Sequence, residues 1–169
     1  MKNSLPKSKK AAQNKDRNGS WTGKPEIFII PLLIFILSGL FFFRKGRYLF
    51  FFQENLSLFI FQSEYFQKFA AMPGGLLEYT GNFLKQGYFS VLYGAVLLAA
   101  LFTLFSFLFL KLSESLKAGR TFTLPFMAIP PALLLLMQMN HYHMLHHHLG
   151  FMVSALFFLI SIRAGNSIQ

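Results

Sequence analysis

Long uncharged apolar runs alternate with short basic or polar stretches along this chain, a pattern that predicts membrane-spanning helices. Residues 27–43 form the first run, about seventeen residues without a charge, which at about 1.5 Å per residue nearly crosses a hydrocarbon core of about 30 Å. Pro31 lies near its start, where a helix tolerates proline. The second run, 88–110, is the longest and closes at Lys111; its Gly94, Ala95, Ala99 and Ala100 let another helix approach closely. The third, 124–140, opens with Pro125 and contains Pro130-Pro131, which remove backbone donors and kink a helix. The fourth apolar run, Leu149 to Ile162, is short, and it crosses only if its helix starts back among the preceding histidines, giving a span over 147–162.

The segment 48–87, between the first two runs, fits neither a span nor an ordinary loop. From Leu49 to Phe69 it predicts an imperfect amphipathic helix at the membrane interface. At about 100° per residue, Gln53, Glu54, Ser57, Ser63, Glu64, Gln67 and Lys68 share half the wheel, while Asn55 and Gln62 interrupt the apolar side. Two short helices covering the end of the bundle are the plainer alternative. Pro73-Gly74-Gly75 predicts a tight structural turn, because proline fixes φ and glycine admits positive φ. A short helix over Leu76 to Leu84 then leads back to the membrane.

Composition agrees with the pattern: 54% apolar residues, 23 of the residues Phe, and 13% charged residues exceed what a water-soluble core absorbs. The absence of Cys excludes disulfides, thiolate metal sites and cysteine nucleophiles. The net charge of +10 is unevenly placed: Lys2, Lys7, Lys9, Lys10, Lys15, Arg17 and Lys24 all precede the first apolar run, against only Asp16 and Glu26. This arm, with almost nothing apolar to bury, is expected to be disordered, cytoplasmic and attracted to anionic lipid headgroups; no nucleic-acid partner is expected. A cleaved signal peptide competes for the first run, but Phe41-Phe42-Phe43-Arg44 offers no small-residue cleavage site, so an uncleaved anchor is predicted. The charge pattern places the amino terminus inside, 48–87 outside, 111–123 inside and the histidine turn outside. Arg44, Lys45 and Arg47 run against that rule.

The residues Phe51-Phe52-Gln53-Glu54-Asn55, Leu58-Phe59, Tyr65-Phe66, Pro73-Gly74-Gly75-Leu76, Tyr79, Gly81-Asn82-Phe83-Leu84, Gln86 and Gly94-Ala95 together carry a resemblance. The chain resembles the amino-terminal part of a family of bacterial multi-pass inner-membrane proteins of unknown function, whose members are several-fold longer. Asn82 stands where that family favours an acid. The family's arrangement is in turn similar to membrane glycosyltransferases that use polyprenyl-phosphate sugar donors. That similarity implies an acidic residue in the outer loop acting as a base or metal ligand, with Glu54 first and Glu64 and Glu78 behind it. The alternative is that all three carboxylates simply keep interfacial helices solvated.

His141, His143, His146, His147 and His148 lie within eight residues. On a helix His143 and His147 share a face, able to hold one metal ion between two imidazoles, but a complete site needs a third ligand. A pH-sensitive interface and a plain polar turn are the other readings. No metal or other cofactor is predicted. These features point to a structural or accessory membrane module, or a truncated member of a larger family, which contacts the bilayer and other membrane subunits or itself. A glycosyltransferase-like enzyme and a transporter subunit are the alternatives.

Overall fold

The computed structural model describes residues 25–56, 59–140 and 142–168, and every regular element among them is a helix. The basic arm over 1–24, together with Ser57, Leu58 and His141, lies outside the described residues. In chain order the elements are α1 (Pro25–Lys45), α2 (Arg47–Asn55), α3 (Ser63–Ala70), α4 (Gly75–Lys85), a 3-10 turn (Gln86–Phe89), α5 (Val91–Ser115), α6 (Arg120–Gln138) and α7 (Leu145–Ile168). Stretches 28–45, 91–115, 121–138 and 145–165 of the four long helices are each long and apolar enough to cross a membrane.

Helix α5 is the hub, packing against α1, α6 and α7. It buries Leu98, Ala99, Leu101, Phe102 and Phe105, and the small Ala95 and Ala99 admit α1, where Gly39 lies against Ala99. Outward faces carry exposed Leu32, Leu37 and Leu40 on α1, Leu133 and Leu136 on α6, and Phe157 and Ile160 on α7. That distribution suits a hydrocarbon solvent, in which close backbone packing, more than hydrophobicity, holds helices together. At the α5–α6 turn the Ser113 and Thr123 hydroxyls meet at 2.8 Å in a buried hydrogen bond.

Boundaries differ from the sequence pattern in ways that follow from capping. Tyr88 falls in the 3-10 turn, because α5 starts only after Ser90, whose hydroxyl accepts from the Tyr93 N–H. At its other end α5 continues through Lys111, which pairs with Glu114 at 3.2 Å, so the loop expected over 111–123 shrinks to 116–119. Helix α6 runs through Pro125, Pro130 and Pro131. Helix α7 does begin among the histidines, which gives the short fourth run its length.

Helices α2 to α4 and the 3-10 turn form a cap at the end of the bundle where α1 and α6 finish and α5 and α7 begin. The single amphipathic helix expected over 49–69 is two helices, separated by a non-helical stretch that includes 59–62. Gln62 there is extended, and the Phe59 ring needs that path to meet Tyr65 at 5.5 Å, Tyr79 at 4.9 Å and Phe83 at 5.5 Å. The next turn has Gly74 at φ +74°, a left-handed conformation that costs glycine little. A Cβ on Gly75 would overlap the carbonyl of Phe69, so the chain reverses there only with glycine.

Candidate functional site

Under the cap lies a group of buried polar side chains drawn from four parts of the chain: Gln53 of α2, Asn82 and Lys85 of α4, Gln138 of α6 and His148 of α7. Polar groups at this depth require partners, since an unmet donor or acceptor costs about 1–3 kcal/mol. Gln53 Nε2 donates to the His143 carbonyl at 2.9 Å, and Gln138 Nε2 donates to Gln53 Oε1 at 3.5 Å. One glutamine therefore ties α2 both to the end of α6 and to the turn before α7. Phe50, three residues earlier and fully buried, anchors the same helix between Phe42 at 6.2 Å and Tyr88 at 4.8 Å. Gly94 leaves room for that ring, which a Cβ would strike at 2.8 Å.

The α4–α7 contact is equally close. A Cβ on Gly81 would stand 3.0 Å from the His146 Cβ, and one on Gly150 would stand 3.7 Å from Leu77 Cδ1. Lys85 extends beside it, its Nζ 3.8 Å from the Met144 thioether, a weak acceptor. Burial lowers the Lys85 pKa from the usual lysine range, and Glu78 pulls it partly back. The Tyr88 hydroxyl is buried without a hydrogen-bond partner among the described residues, and burial, with Tyr93 adding to it, pushes its pKa up.

The histidines gather above this layer. Ring centroids lie 5.0 Å apart for His143 and His147, 4.3 Å for His146 and His147, and 4.7 Å for His143 and His148. Burial, and then the neighbouring His147, lowers the His143 pKa. The structure thus brings the two candidate ligands His143 and His147 together, with His143 in the turn before α7 and His147 in its first turn. Among the described residues no three His, Asp or Glu side chains converge as a metal site would require.

The three candidate carboxylates are spread over three helices. Glu54 is half-buried on α2, Glu64 is exposed on α3, and Glu78 is half-buried on α4, near enough to Lys85 and His146 to act on their charges. An open hollow of about 390 Å³ beside the 3-10 turn is lined by Phe83, Gln86, Gly87, Phe89 and Tyr93, without any of the three. Pro73 is exposed in the turn leading into Gly74 and Gly75. Sequence reasoning passed over Gln53 and Lys85 as site residues. The available signal was the first polar residue after an aromatic or apolar run: Gln53 after Phe50-Phe51-Phe52, and Lys85 after Phe83-Leu84.

Four spanning helices with a helical cap between the first and second define an all-α, multi-pass membrane protein. The chain belongs to the family of unknown function DUF6057, whose profile matches residues 24–169. Searches of curated proteins and of solved structures each return no match.

Proposed function

We propose that this chain is a structural or accessory membrane module without catalysis of its own, in a bacterial inner membrane with its amino terminus in the cytoplasm. The observation that carries the reading is how the buried polar groups are used. Gln53 and Gln138 are bonded to each other, and Gln53 also to the His143 carbonyl, so they fasten the cap; both side chains are buried away from the surface, with only Gln138 Oε1 of the pair lacking a partner among the described residues. The carboxylates sit on three separate helices, and none lines the hollow beside the cap. In a strain lacking the gene, the triple variant Glu54→Gln/Glu64→Gln/Glu78→Gln is expected to restore the wild-type phenotype. Failure of a correctly inserted triple variant, with a lipid-linked sugar accumulating, contradicts the reading. Orientation is tested separately by a reporter fused after Gln169, which is expected to be cytoplasmic.

A second reading, part of a glycosyltransferase-like enzyme acting on a lipid-linked sugar, draws on Glu78. It replaces Glu54 as the leading candidate, because it lies beside a buried lysine and an imidazole, the setting in which a carboxylate takes or gives a proton. Loss of activity in Glu78→Gln alone, with Glu54→Gln active, is the signature of that reading.

A further inference from the structure

A groove of about 370 Å³ runs between α1 and α5, lined by Phe35, Gly39, Leu40 and Phe43 on one side and by Leu92, Ala95, Val96 and Ala99 on the other. No polar atom lines it, and its volume falls in the range of small-molecule pockets, about 300–1,000 Å³. Gly39 and Ala99 make its floor, with a Gly39 Cβ reaching only to 3.6 Å from the Ala99 Cβ. The groove ends where α1 ends. Arg44 follows Phe43 directly and lies one turn beyond Leu40, and Arg47 opens α2 three residues later. Both guanidinium-bearing residues are exposed, and among the described residues neither has a carboxylate at ion-pair distance.

Lys45 has a different place. It lines a smaller hollow of about 140 Å³ with Phe41, Phe42, Leu49 and Met139. The clustered basic residues are therefore separable: Lys45 lines this second hollow, whereas Arg44 and Arg47 follow by one turn the groove-lining Leu40 and Phe43. Like charges so close together repel unless an anion joins them, and guanidinium groups pair with phosphate oxygens through two parallel N–H donors. A wholly apolar groove followed within one helical turn by two exposed arginines matches an amphiphile with one chain along the helices and one phosphate at the membrane surface.

We propose that the α1–α5 groove, with Arg44 and Arg47 at its mouth, is a binding site for one anionic phospholipid. The acyl chain lies against Gly39, Ala95 and Ala99, and the headgroup phosphate is held by the two arginines. The site belongs to the leaflet in which α1 ends, and it is independent of the basic arm.

Native mass spectrometry of the purified full-length chain, titrated with phosphatidylglycerol or phosphatidylcholine, tests this. The wild type is expected to keep one phosphatidylglycerol at least about tenfold more strongly than phosphatidylcholine. The double variant Arg44→Gln/Arg47→Gln, on exposed positions that leave the packing intact, is expected to abolish the preference, while Lys45→Gln keeps it. Filling the groove by Gly39→Leu, or by Val96→Trp from an exposed position, is expected to remove the bound lipid even with both arginines present. Equal retention of the two lipids means ordinary boundary lipid and overturns the proposal. So does loss of preference in Lys45→Gln as large as in the double variant, which would reduce the effect to bulk charge. Unchanged binding in Val96→Trp overturns it too, as does release of a second copy of the chain by groove filling, which would make the groove a helix–helix seam.

Discussion

The spanning bundle and the cap are built from the same aromatic-rich alphabet but are held together differently. In the bundle, α1 and α5 meet through Gly39, Ala95 and Ala99, and the faces turned away carry interchangeable Leu, Ile and Phe. Many substitutions there exchange one apolar surface for another. In the cap, position depends on a few particular groups: the Phe59 ring among Tyr65, Tyr79 and Phe83, Gly81 against His146, and Gln53 between Gln138 and the His143 carbonyl. The contrast teaches where single changes matter. A membrane supplies the bundle with its solvent, whereas the cap must specify its own seat.

The largest expected break in this contrast is Gly81→Leu. Overpacking a close contact costs about 1–3 kcal/mol, and here the added atoms meet the backbone of the first turn of α7. Amide exchange over 59–89 is expected to accelerate while exchange in α5 stays slow; equal acceleration in both would show that the cap and bundle are one cooperative unit. The same size of effect is expected from adding a side chain at Gly94, which displaces Phe50.

Next comes Gln53→Leu, which leaves the Gln138 amide and the His143 carbonyl unmet at a cost of about 1–3 kcal/mol. Adding Gln138→Leu is expected to recover part of the loss, since two apolar groups replace a pair. A strictly additive double variant would mean that the glutamines do not interact.

The smallest effect is pH-dependent. His143 has a lowered pKa in the folded chain, so the folded form prefers the neutral ring. Its contribution to stability is therefore fully present above the ordinary histidine pKa of about 6.5 and is lost as pH falls through the lowered folded value. Cap exchange is expected to quicken as pH falls below about 6.5, and less so in His143→Gln. An identical pH profile in the variant would remove His143 from the account.

Much of the bundle is legible in the sequence because hydropathy is a property of each segment by itself. The four apolar runs correspond to the four long helices, and even the dependence of the last on the histidines is visible from its length. The cap is less legible. Nothing local announces that Gln53 meets a glutamine 85 residues later and a carbonyl 90 residues later. The interruption between α2 and α3 is set by the Phe59 cluster, which overrides the helical period read from Leu49 to Phe69. Glu54 drew attention through its charge and its nearness to the first span, yet the fully buried residue is its neighbour Gln53. Glu78 gains its setting from Lys85 and His146, of which only Lys85 is near in sequence.

The chain has no cysteine, so a single engineered pair can test the seating of the cap directly. With Gly81→Cys and His146→Cys introduced together, the Cβ atoms start about 3.0 Å apart, so the contact must open slightly to reach the separation of about 3.8 Å in a disulfide, a smaller displacement than Gly81→Leu demands because the imidazole is removed. Mild oxidation in native membranes is expected to join the two cysteines within one chain, detected as a shift that reduction reverses. Failure to form that bond, with both cysteines open to a membrane-impermeant maleimide, would contradict the placement of α4 on the first turn of α7 and with it the docked cap.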